Sequence, residues 1–172
     1  MAAGVTHPVF QAATSSSGGL TSLGSSATWV AGYEWFLVDV AAMSPVPFDV
    51  RHSGKIRVGT TPTVNTQIRI YLVASEDGTT WPDVFDGTPS AETVTSAGVR
   101  DGFAKLAAVL NVDSTTSDRD YPYSFNAAAV FGGSLPDSYV VFVTHNTGVA
   151  LNATAGTHTY VYAPQHILVD QS

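Results

Sequence analysis

Residues 67–74 alternate without a break: Gln67, Arg69, Tyr71 and Val73 leave the chain on one side, Ile68, Ile70, Leu72 and Ala74 on the other. A period of two is what the pleat of a β-strand imposes on side chains. The strand lies within GKIRVGTTPTVNTQIRIYLVASEDGTTWPDVFD (residues 54–86), which reads as a strand, a Pro/Asn turn, this two-faced strand and an acidic aromatic turn. The stretch holds no nucleophile beside a base, no metal-ligand spacing and no phosphate-cradling glycine run. It sets an all-β expectation and points toward a structural role.

The rest of the chain follows the same pattern. TWVAGYEWFLVDVAAM (28–43) is rich in aromatic and β-branched residues and mostly apolar on both faces, with Gly32 read as a bulge or a bend. FDVRHSGKIRVG (48–59) reads as a hairpin turning at Ser53 and Gly54, and ETVTSAGVRDG (92–102) as a weak hairpin. FAKLAAVLNV (103–112) fits helical and strand spacing alike, and its β surroundings favour strand. NAAAVFGG (126–133), with Asn126 as N-cap and a glycine stop, reads as one short helix. Segments 138–148, 148–153, 157–163 and 165–170 close the chain as short strands. The expected fold is an all-β antiparallel β-sandwich or jelly roll over residues 28–172, with Trp35, Phe36, Ile70, Leu72, Val141 and Phe142 buried between two sheets. Residues 1–27, dominated by Ala, Ser, Thr and Gly, bury too little apolar surface to order alone. They read either as a flexible N-terminal arm or as a strand ordered against a neighbour.

Charged residues are only 12% of the chain against 44% hydrophobic, about half the usual charged share of a soluble domain. A surface made of Thr, Ala, Ser and Gly suits burial against partners. Seven basic against fourteen acidic residues, a net charge of −7, argue against nucleic-acid binding. Without cysteine there is no disulfide framework and no thiolate zinc site. No stretch approaches the ~20 apolar residues of a membrane span, and the first ten residues carry no basic-then-apolar secretory pattern.

Two loops hold the candidate site residues. Asp77, Asp83 and Asp86, with Glu76 and Trp81 between or beside them, are either the oxygen ligands of a cation such as calcium or ordinary turn caps. Trp81 is either a sugar-stacking platform or a lid on the core. Arg119, Tyr121 and Tyr123 follow an acidic loop and suit the anchors of a subunit joint. The five histidines are scattered, with His145 and His158 able to meet across strands. There is no catalytic constellation, no metal site beyond the loop alternative and no cofactor motif.

The turn SEDGTTWP (75–82), together with SAGVRDG, AAVLNVDSTTSDRDYPY, AVFGGSLPDSYVVFVTHNTGVAL and THTYVY, resembles the β-rich structural proteins of tailed-bacteriophage particles over most of residues 54–163. The resemblance implies a capsid decoration (cement) protein or a related particle protein, self-associating as a homotrimer and seated on other virion proteins such as the major capsid protein. It implies a virion location after synthesis in the bacterial cytoplasm, with no enzyme activity, cofactor, nucleic acid or membrane. Its rival is a carbohydrate- or receptor-binding jelly roll on the head or tail surface.

Overall fold

The structure is a computed structural model that describes residues 6–10, 14–17 and 19–169. Among the described residues ten strands form two antiparallel five-stranded sheets, which pack face to face. Sheet A holds β1 (Thr6–Phe10), β2 (Thr14–Ser17), β4 (Asp49–Arg57), β8 (Asp120–Asn126) and β10 (Thr159–Val169), in the order β1-β10-β4-β8, with β2 also on β10. Sheet B holds β3 (Ala31–Asp39), β5 (Thr66–Ser75), β6 (Ser90–Thr93), β7 (Lys105–Val112) and β9 (Ser138–His145), in the order β6-β3-β9-β5-β7. The ladders nest: β1 pairs with β10, β3 with β9, β4 with β8 and β5 with β7.

The main core lies between the sheets. Ile68, Ile70, Leu72, Val141 and Val143 of sheet B meet Val50, Ile56, Tyr121, Tyr123 and Tyr160 of sheet A. Phe36 stacks on Tyr160 with ring centroids 3.5 Å apart, and His52 Nε2 lies 2.7 Å from Tyr139 Oη, joining β4 to β9. A second core lies on the far side of sheet B. There Tyr71, Val73, Val140 and Phe142 are covered by residues 76–104, which contribute Phe85, Val94 and Ala104. Every residue of β9 is therefore buried. Of the six residues expected between the sheets all are buried, but Phe142 belongs to the second core. Trp35 and Phe36, neighbours in sequence, both join the main core because the β3–β9 register shifts between Glu34 and Phe36. The bulge is thus at Trp35 and not at Gly32. Gly32 instead admits the Phe142 ring and Val143 carbonyl, which a Cβ would strike.

Several local expectations are corrected. Residues 49–57 are one strand, with no turn at Ser53 and Gly54. A Cβ on Gly54 would lie 2.8 Å from Tyr123 Oη and closer still to the Thr159 carbonyl, so this glycine serves close packing inside a strand. Residues 157–170 hold one long strand, β10, running through Pro164. Pro164 stands between the residues paired with β2 and those paired with β1. In place of a hairpin at 92–102 there are β6 and a helix, α1 (Ala97–Phe103), capped by Ser96 Oγ accepting from Val99 N at 3.1 Å. Two short helices therefore stand where one was expected. The second, α2 (Ala127–Val130), is capped by a distant residue: Asp49 Oδ1 on β4 accepts from Ala128 N at 2.9 Å, while Asn126 makes no side-chain cap. Residues 105–112 are strand, as expected.

Within the N-terminal segment read as a flexible arm or a strand ordered against a neighbour, residues 6–10 and 14–17 are strands lying along this chain's own β10, and residues 19–27 follow as turn and irregular chain. Leu20 is completely buried in the main core. The remainder of that segment, residues 1–5, 11–13 and 18, lies outside the described residues. Among the described residues no helix is long and apolar enough to cross a membrane.

Candidate functional site

The two broad faces of the molecule differ. The middle of the outer face of sheet B, around Tyr71, Val73, Val140 and Phe142, is covered by residues 76–104, whereas no described element packs over the outer face of sheet A. Alternation decides what that open face shows: His52 and Ile56 turn into the core, so Arg51, Ser53, Lys55 and Arg57 turn out. Beside them stand Asp120, Pro122 and Ser124 of β8, and Val161, Ala163 and Gln165 of β10, which share their register. Asp120 accepts from Lys55 Nζ at 2.8 Å and from Arg57 Nε and an Arg57 terminal nitrogen at 2.6 and 3.0 Å. The Arg57 guanidinium, with Lys55 beside it, holds the Asp120 carboxyl at about 2. Arg51 is exposed and makes no ion pair among the described residues.

The acidic loop is built differently from a cation cage. Asp77 accepts from Thr79 N, Thr80 N and the Thr80 and Ser75 hydroxyls, and these bonds, Thr80's first, pull its carboxyl far below the usual range. Asp83 holds Thr95 N at 2.8 Å and Thr95 Oγ1 at 2.6 Å, stapling the loop to the start of α1. Asp86 accepts from Thr88 N at 2.8 Å. Each carboxylate ties its own stretch of backbone, and no group of three or more metal-ligating side chains converges among the described residues. Trp81 is half-buried against the second core, the position of a lid.

Arg119, Tyr121 and Tyr123 are separated by their strand. Tyr121 and Tyr123 are not exposed loop anchors: they lie on β8 and point into the main core with Phe125 packed beside them. Burial raises the pKa of both phenols. Only Arg119 reaches solvent, 3.3 Å from Asp113, which also accepts from Tyr121 Oη at 3.1 Å. The alternation of Tyr121, Tyr123 and Phe125 was visible in the sequence, and Pro122 obscured it. Proline is tolerated there because β8 is an edge strand.

Other polar groups stand out only in three dimensions. Glu34 is fully buried on β3, and neither carboxyl oxygen has a partner in hydrogen-bond geometry. Burial pushes its pKa up to about 7, while the nearby amides of Asp86 and Gly87 oppose the shift. His52, His145, His158 and His166 are all buried. His145 Nε2 lies 3.0 Å from Leu23 O. His158 Nδ1 accepts from Arg57 N at 3.3 Å while its Nε2 faces Asn152 O at 3.0 Å. Burial lowers His52 to about 3 and His145 to about 4, and lowers His158 as well. On β5 of sheet B, the Arg69 guanidinium stacks 3.9 Å from the Trp29 ring centre and is braced by Gln67, which also bonds Asn111.

Two adjoining clefts, about 600 and 510 Å³, flank the loop around Ser134, Leu135 and Pro136. Their walls include Phe103, Phe131, Val46 and Phe48, with Glu76, Asp77 and Lys105 at one end. No protein-family model and no curated protein matches this chain.

Proposed function

We propose that the chain is a structural virion protein of a tailed bacteriophage, a capsid decoration or cement protein that stabilises the particle through contacts between subunits. The observation that carries this reading is the asymmetry of the sandwich. One sheet is covered over the middle of its outer side by residues 76–104, with Leu37, Leu106 and Val109 left exposed around that cover, and the other offers an open face of Ser, Ala, Val, Gln and four charged residues. Lys55 and Arg57 are already paired with Asp120 on that face and its other groups apart from Arg51 are neutral, so covering it would strand little unpaired charge.

The finer fold in this reading is a jelly roll. It is supported by the nested pairs β1·β10, β3·β9, β4·β8 and β5·β7, and by a strand order that splits them alternately between the sheets, an arrangement common to viral capsid and lectin domains. The mechanism would be mechanical: apolar and neutral polar surface buried at joints between copies, in a homotrimer seated on the major capsid protein, opposing the outward pressure of packaged DNA. The decisive experiment is mass spectrometry of purified virions of the phage that encodes the chain, followed by heat challenge of particles with and without it. Recovery at many copies per particle, with earlier rupture in its absence, is expected. Absence from purified virions overturns the proposal.

A second reading, a carbohydrate- or receptor-binding jelly roll on the particle surface, is favoured by the Trp29–Arg69 stack with Gln67 and Asn111 beside it. An aromatic ring next to planar polar groups is the usual material of a sugar platform. Glycan-array binding that disappears in Trp29→Ala would favour it over cementing.

A further inference from the structure

The charge of this molecule is divided between its two broad faces. Residues 76–104, which cover sheet B, contain six acidic residues and one basic one. That basic residue, Arg100, is buried and paired with Asp101. Glu76, Asp77, Asp83 and Asp86 are all exposed. Arg69 on β5 and Lys105 on β7 are further basic residues of sheet B and leave its side net acidic, whereas among the described residues the outer face of sheet A carries Arg51, Lys55 and Arg57 with Asp120 bonded to the last two. A protein of net charge −7 thus keeps a net positive stripe along one strand of its open sheet.

We infer that copies of this chain associate head to tail, the basic outer face of sheet A in one copy resting on the acidic 76–104 cover of the next. The inference rests on the assembly reading above and names the joint it uses. Pairing two sheet A faces would set Arg51 stripe against Arg51 stripe, and pairing two covers would set acid against acid. Only the heterologous arrangement brings opposite potentials together. A polyanion such as DNA is a poorer occupant, since a stripe of about two net charges releases few counterions and the rest of the molecule repels it. The face is also large enough to matter. Four strands at ~4.8 Å spacing and about seven residues at ~3.3 Å rise present roughly 450 Å² in projection. Side-chain relief adds to that area, against about 800 Å² of accessible surface per partner in a standard interface. A heterologous joint closes into a ring if its rotation closes and otherwise grows as a column.

The test is sedimentation velocity of the full chain at low and high salt, with two charge-reversed variants. Arg51→Glu with Ser53→Glu makes the open face acidic and leaves the Lys55–Asp120–Arg57 bridge untouched. Glu76→Lys with Asp86→Lys makes the cover basic. The wild-type chain should self-associate at low salt and dissociate as salt rises, and each variant alone should lose roughly tenfold or more in association constant. Mixing the two variants should restore association, because each then meets a complementary face. Recovery on mixing also shows that neither variant failed by unfolding, which far-UV circular dichroism checks independently. A wild-type chain that stays monomeric at low salt, association indifferent to both reversals, or no recovery on mixing overturns the inference. If any of these occurs while the protein is still recovered in virions, the joint is wrong and the cement reading stands.

Discussion

Glu34 on β3 stands directly opposite Phe142 on β9, and this pairing carries a carboxyl group into the aromatic cluster beneath residues 76–104. Phe142 and Phe85 meet edge to face there, with centroids 5.2 Å apart. A carboxylate among such neighbours is poorly solvated, so the proton is retained up to about pH 7.

The sign of its pH dependence follows. An unfolded glutamate releases its proton near 4.5, whereas buried Glu34 keeps it to about 7. Between those values the unfolded state is favoured progressively as pH rises, and above them the loss is complete. Glu34→Gln should therefore gain on the wild type as pH rises from 4.5 to 7, by on the order of 2–3 kcal/mol, and then run parallel to it. Urea unfolding across that range measures the difference. A constant offset between the two proteins would show that Glu34 ionises normally.

The buried histidines act in the opposite sense. His52 and His145 stay neutral in the fold to about pH 3 and 4, while an unfolded histidine takes up its proton near 6.5. Their contribution is intact above 6.5 and is lost as pH falls below it, at up to ~1.4 kcal/mol per pH unit for each residue. His52→Phe should remove one such proton from the slope, since His52 already stacks between Phe36 and Phe125. The ring signals of His52 and His145 followed by NMR should stay at their neutral shifts well below pH 6.

Gly54 and Gly102 make a matched pair of substitutions. Alanine at 54 would drive its Cβ into the Thr159 backbone, and Gly54→Ala should cost ~1–3 kcal/mol or more. Gly102, in α1, has nothing within 4 Å of its would-be Cβ, and Gly102→Ala should stabilise by about 0.5–1 kcal/mol. Melting temperatures moving in opposite directions are the expected result.

Ile70 and Leu72 are both fully buried between the sheets. Truncating either to alanine should cost about 2–5 kcal/mol through lost burial and a residual cavity. Ala108, opposite Ile70 on the edge strand β7 and only half-buried, should tolerate serine far better. Chemical denaturation of the three variants provides the comparison.

The sequence by itself determined the strand character of 31–39, 66–75 and 138–145, because alternation and β-branched content are local properties that survive any packing, whereas 105–112 fitted helix and strand alike and was read as strand only from its β surroundings. It also determined the short helix near 127–130 and the apolar membership of the core. It misplaced a turn at Gly54 because a glycine that admits a neighbouring backbone looks, in one dimension, like a glycine that turns the chain. It exposed Tyr121 and Tyr123 because Pro122 resembles a loop residue until β8 is known to lie at an edge. Whether Asp77, Asp83 and Asp86 converge or each caps its own turn was open until their partners were known, since loop carboxylates serve both ends equally well. Only the tertiary structure decided that Glu34 is buried without a partner, that Asp49 caps a helix far along the chain, and that Arg51, Lys55, Arg57 and Asp120 share one face of sheet A. Each of these depends on which strands become neighbours across long sequence separations, and strand pairing is set by the packing of the whole sandwich, not by any one segment.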